Sequence, residues 1–155
     1  MHSLLEFRKG VRVAGHPLHT VLVHFPVAFL SLVFPLEVLG WRGGWETCWG
    51  LAFLSNAAGL ATALPAALAG FPDLLGLAAK PKASALANLH MLVMLSSVCV
   101  FGLDLYLRGG PDPVHGNRVF VILGLSCLGM LLIVWGGWLG GELIFRHRAG
   151  IQAAE

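Results

Sequence analysis

Residues 119–145 read VFVILGLSCLGMLLIVWGGWLGGELIF, with no charge ahead of Glu142. A helix needs about 20 apolar residues to cross the hydrocarbon core of a bilayer, and this run is longer than that. Three further runs of the same kind precede it, at about 17–41, 49–71 and 84–107. Charged residues gather in the short breaks between them. Only 12% of the 155 residues are charged and 57% are hydrophobic, against about 25% charged in a soluble domain. Mean hydropathy is +0.78. These features predict an all-α integral membrane protein of four helices. The connections, 42–48, 72–83 and 108–118, are short. Short links make sequential helices antiparallel neighbours, so the expected fold is an up-down-up-down four-helix bundle. It divides the chain into an N-terminal segment, 1–15, a transmembrane domain, 16–147, and a C-terminal tail, 148–155.

Basic residues favour the cytoplasmic side of a membrane. Arg8, Lys9, Arg12, Lys80, Lys82, Arg146 and Arg148 share one side of the expected bundle; Arg42, Arg108 and Arg118 share the other. The bias favours both termini in the cytoplasm, with the N-terminal segment cytoplasmic. Trp41, Trp45, Trp49 and Tyr106 fall at helix ends on the opposite side, where amphipathic rings sit at headgroup level.

Several function classes find no support. A net charge of +2 and no basic patch argue against nucleic-acid binding. Cys48, Cys99 and Cys127 have neither paired spacing nor a C-x-x-C-H haem-attachment motif. No G-x-S-x-G, phosphate-binding loop or H-E-x-x-H motif is present. Met1–Gly15 does not have the pattern of a secretory signal.

Within the spans, Pro26 and Pro35 predict kinks in the first helix. Gly136, Gly137, Gly140 and Gly141 recur at i and i+4 in the fourth, a pattern that allows close helix packing. A faint internal repeat is also visible. His24 precedes Arg42-Gly43-Gly44 by the same interval as His90 precedes Arg108-Gly109-Gly110, an offset of 66 residues. Such a repeat would make helices one and three equivalent, about an axis along the membrane normal.

Five histidines, His16, His19, His24, His90 and His147, collect toward the inner side. His24 and His90 each lie roughly 9–10 Å into their helices at 1.5 Å per residue. They are therefore expected at one depth, facing each other inside the bundle. Small or weakly polar residues flank them, Ala28 and Ser31 on one helix and Met94 and Ser97 on the other. Ionisable groups inside a membrane mark functional sites by default. Glu142 and Asp73 approach from the same side and could orient an imidazole through its second nitrogen. Facing neutral imidazoles suit haem b iron, or zinc or copper. With no cofactor they would build a histidine–carboxylate polar network in a non-catalytic subunit or assembly factor. Whether the protein is an enzyme, and whether it forms an oligomer, is left open.

The stretch GHPLHTVLVHFPVA, Gly15–Ala28, resembles the opening of the bacterial membrane family catalogued as domain of unknown function 2231. The matching residues are His16, Pro17, His19, His24, Phe25 and Pro26. Further likeness lies in GFPD (Gly70 to Asp73), in His90, and in GGELIFRHRAGI with Gly140, Gly141 and His147. The resemblance spans roughly Gly15–Ile151. Thr20 stands where proline is usual, Arg148 where glycine is usual, and Met94 or its neighbour where asparagine often occurs. The resemblance implies a four-helix membrane domain. In some bacteria this domain is joined to Rieske or cytochrome c modules, which implies electron transfer with a redox partner protein or a quinone.

Overall fold

A computed structural model describes residues 11–13, 16–78 and 80–147. Most of the expected N-terminal segment, the tail 148–155, and Arg8, Lys9 and Arg148 lie outside the described residues. A minimal antiparallel pair comes first, β1 (Arg12–Val13) against β2 (His16–Pro17). The helices follow: α1 (Leu18–Leu22), α2 (His24–Gly43), α3 (Glu46–Gly76), α4 (Pro81–Arg108) and α5 (Arg118–Phe145). α1 and α2 together make the first of four spans, each long and apolar enough to cross a membrane.

Local chemistry sets the breaks. Pro26 has no N–H to give to the carbonyl of Leu22, four residues back, and the helix is interrupted there at Val23, between α1 and α2. Pro35 is carried inside α2. α2 and α4 end on Gly44 and Gly109, at φ 65° and 77°, a left-handed conformation that costs glycine nothing.

The bundle is two helical hairpins. α2 packs along α3, and α4 along α5; the hairpins then join through α2 on α5 and α3 on α4. α2 and α4 are therefore diagonal. Leu30, Val33, Phe101 and Ile133 form the central core, and Trp49, Val119, Ile122 and Leu123 a second one nearer the α2–α3 turn. Large apolar side chains elsewhere face outward, Leu64, Leu68 and Trp138 among them, as a lipid solvent demands.

The two hairpins repeat each other, though not at the offset of 66. In α2 the buried residues include Pro26, Leu30, Val33 and Glu37; in α4 they include Ser97, Phe101, Asp104 and Arg108. Each pair is 71 positions apart. In α3, Trp49, Ala52, Asn56, Gly59, Ala66 and Ala69 are buried; in α5, Val119, Ile122, Ser126, Gly129, Gly136 and Leu139. Each of those pairs is 70 apart. The contacts repeat as well. A Cβ on Gly59 would sit 2.5 Å from Leu30, and one on Gly129 would sit 2.6 Å from Phe101. Leu30 and Phe101 thus fill equivalent notches. The offset of 66 followed the exposed Arg-Gly-Gly turns, which packing does not hold in register.

Two other expectations are corrected. Trp49 is 3% exposed, a core residue rather than a headgroup ring, whereas Trp41, Trp45 and Tyr106 are exposed. Of the four glycines in α5, Gly136 packs on Met94 and Val93 and Gly140 on His90, but Gly137 and Gly141 face open space.

Candidate functional site

The repeat sets out one site at each end of the bundle. At the end near β1 and β2, here the histidine end, His19 on α1 and His90 on α4 occupy equivalent positions, 71 apart. Each imidazole reaches the next helix in the same way. Nδ1 of His19 donates to the carbonyl of Ala66 at 2.7 Å, and Nδ1 of His90 donates to the carbonyl of Gly136 at 2.9 Å. A carbonyl oxygen only accepts, so the proton must be on Nδ1. In the neutral ring Nε2 then carries the lone pair. No hydrogen bond among the described residues uses Nε2 of either ring. One turn beyond each carbonyl a glycine makes room for the ring. A Cβ on Gly70 would lie 2.7 Å from His19, and one on Gly140 would lie 3.2 Å from His90.

His19 and His90 lie at the same end of the bundle, on α1 and α4. α1 packs chiefly on α3 and less on α2. Asp73 is half-buried at the same end of the bundle, in the last turn of α3. Glu142 pairs instead with Arg146, Oε1 to Nη1 at 2.6 Å, one turn along its own helix.

His24 does not face His90. It is exposed, with Nδ1 donating to the carbonyl of Val21 at 3.2 Å, and its neighbour Ala28 is exposed too. The reason is helical geometry. Five positions separate His19 from His24, which at 3.6 residues per turn is a rotation of about 140°. Both cannot point into the bundle. His147 lies at the same end, partly exposed, with no hydrogen bond among the described residues. His16 lies in β2, and its side chain is outside the described residues.

At the opposite, arginine end is a cluster that the residue pattern did not single out. Glu37, Asn56, Asp104 and Ser126 are each 0% exposed and Arg108 6%. Nη1 of Arg108 donates to Oε1 of Glu37 at 3.0 Å. Its Nη2 donates to the carbonyl of Trp49, and its guanidinium lies over the Trp49 ring, 5.3 Å from the centroid. Nδ2 of Asn56 donates to Oδ2 of Asp104 at 2.9 Å and to the carbonyl of Phe101 at 3.1 Å. The hydroxyl of Ser126 donates to the carbonyl of Leu123 at 3.3 Å. Arg108 was counted as a loop charge in the orientation bias. The signal that would have found it is the interval of 71 from Glu37. Among the described residues, no three of the His, Cys, Asp and Glu side chains are grouped so as to hold a metal ion.

The chain belongs to the family described as "Predicted membrane protein (DUF2231)", which matches residues 15–153. No curated protein and no solved structure matches it.

Proposed function

We propose that this DUF2231 membrane protein binds haem b through His19 and His90 and passes electrons within the membrane. The observation that carries the proposal is the matched pair of imidazoles. Both are held by Nδ1 on a main-chain carbonyl, and both leave the basic Nε2 free. Metal-ligating histidines are commonly fixed in this way. The partner set favours haem over a bare ion. Zinc takes about four ligands from the protein, and the described residues group no such set. Haem iron has four nitrogens from its porphyrin and needs only two axial side chains. Bound there, it would supply one-electron chemistry. The protein's own part is to fix both tautomers and to hold both rings at the same end of the bundle, where Asp73 would supply a nearby carboxylate. The charge bias favours the cytoplasmic side of a bacterial inner membrane for this end. The resemblance to a family found joined to Rieske and cytochrome c modules favours a redox protein or a quinone as partner.

The test is the haem content of protein purified from haem-replete cells, by pyridine haemochrome. One haem per chain is expected for wild type and for His24→Ala, with loss in His19→Ala and in His90→Ala. Haem-free wild-type protein that takes up none on titration would sink the proposal. Retention in both His19→Ala and His90→Ala would sink this ligand pair.

A further inference from the structure

The arginine end holds two carboxylates and one guanidinium in the protein interior. With all three ionised, one negative charge is left over among residues that solvent does not reach. An isolated buried charge is so costly that such a group normally neutralises itself. The hydrogen bonds show where the deficit lies. Glu37 uses Oε1 and Asp104 uses Oδ2, while Oε2 of Glu37, Oδ1 of Asp104 and Oδ1 of Asn56 are buried with no partner. The amino group of Asn56 faces two acceptors, which fixes its Oδ1 toward the other side. Against these three acceptors the cluster has one unused donor, Nε of Arg108, so donors fall short of acceptors.

We infer that Glu37 and Asp104 share one exchangeable proton, forming a proton-binding site at the arginine end of the bundle. One proton cancels the excess charge. It also turns one orphaned carboxylate oxygen into a donor for another of the three. The step is the addition of H+ from water to a carboxylate, and it needs no other reactant. A desolvated metal cation suits the cluster less well. Hard cations take about six oxygen ligands or more, and three unpartnered side-chain oxygens fall short of that. On the loop side a cleft of about 440 Å³ is lined by Arg108, Asp112, His115 and Arg118 among others, while the Arg108 side chain itself is 0% exposed. The charged and titratable groups facing the site are Glu37 from α2, Asp104 and Arg108 from α4, and Asp112, His115 and Arg118 around the cleft. α3 and α5 contribute Asn56 and Ser126, which do not titrate.

The inference does not depend on haem at the other end. Infrared spectroscopy of the full chain in lipid, at neutral pH and without sodium, tests it. A protonated-carboxyl C=O stretch is expected, shifting when water is exchanged for D2O. Glu37→Gln and Asp104→Asn should each abolish it, because the carboxylate left behind is balanced by Arg108. Asp73→Asn should leave it in place. The wild-type spectrum decides the protonation state even if a variant fails to fold. Absence of the band in wild type would overturn the inference, as would its survival in either Glu37→Gln or Asp104→Asn. A wild-type band that disappears on adding sodium would also overturn it, because the site would then hold a cation.

Discussion

Glu37 and Arg108 occupy equivalent positions in the two hairpins, 71 residues apart, and they meet at 3.0 Å in the protein interior. A residue near the axis of a two-fold repeat faces its own counterpart. Two glutamates there would repel, and so would two arginines. The hairpins are therefore alike in packing and unlike in charge where they touch, which fixes the pairing of one hairpin with the other.

The ion pair is thus predicted to be costly to break from one side. Arg108→Met leaves Glu37 buried without its partner and should destabilise the protein by about 3–5 kcal/mol. The double variant Glu37→Met with Arg108→Met should lose less than Arg108→Met alone, because Glu37 is no longer left without its partner and Asp104 is the one carboxylate that must take up a proton. Unfolding midpoints in detergent, read by near-ultraviolet circular dichroism, measure the difference.

The glycine notches give a second prediction. Gly59→Ala and Gly129→Ala push a methyl group into Leu30 and Phe101 and should each cost about 1–3 kcal/mol. Gly137→Ala and Gly141→Ala meet nothing within 4 Å and should be neutral or slightly stabilising, since alanine is the better helix former. Leu30→Ala should partly rescue Gly59→Ala. The same unfolding assay, run as a double-mutant cycle, reads the coupling.

How much of this was legible in the sequence depends on which residues are asked. The four spans were, because lipid allows only long apolar runs and the link lengths leave one simple topology. The site was legible in part. His90 was read as an inward histidine and its imidazole does bond across to Gly136 on α5, but the histidine at the equivalent position is His19 rather than His24. The break opposite Pro26 separates a short α1 from α2, and the two histidines differ by about 140° around the helix axis. The arginine end was missed because Arg108 sits beside a turn, where a charge reads as solvated. Only its interval from Glu37 gives it away, and that interval becomes visible once burial shows which positions are equivalent.

Lipid exposure is a third prediction. Spin labels at Leu64→Cys, Leu68→Cys and Trp138→Cys should be relaxed by oxygen dissolved in the bilayer and not by a water-soluble nickel complex. Val33→Cys, at 0% exposure, should respond to neither. Strong relaxation by the nickel complex at Leu64, Leu68 or Trp138 would place that surface in water.

The glycines beside the two imidazoles offer a graded check on the site. A methyl group at Gly70 would stand 2.7 Å from His19, and one at Gly140 would stand 3.2 Å from His90. Gly70→Ala should therefore displace its histidine more than Gly140→Ala does. Nitrogen-15 spectra of the imidazoles should show Nδ1 protonated in both rings of the wild type without bound cofactor. The larger change is expected at His19 in Gly70→Ala.

The central claim is that His19 and His90 are a matched pair of iron ligands. Low-temperature electron paramagnetic resonance of the oxidised, haem-loaded protein tests it most directly. Two axial imidazoles give a low-spin ferric signal. His19→Ala and His90→Ala should each convert it to a high-spin signal or lose it with the haem, while His24→Ala leaves it unchanged. A low-spin signal that survives in His19→Ala and His90→Ala but is lost in His24→Ala would contradict the account.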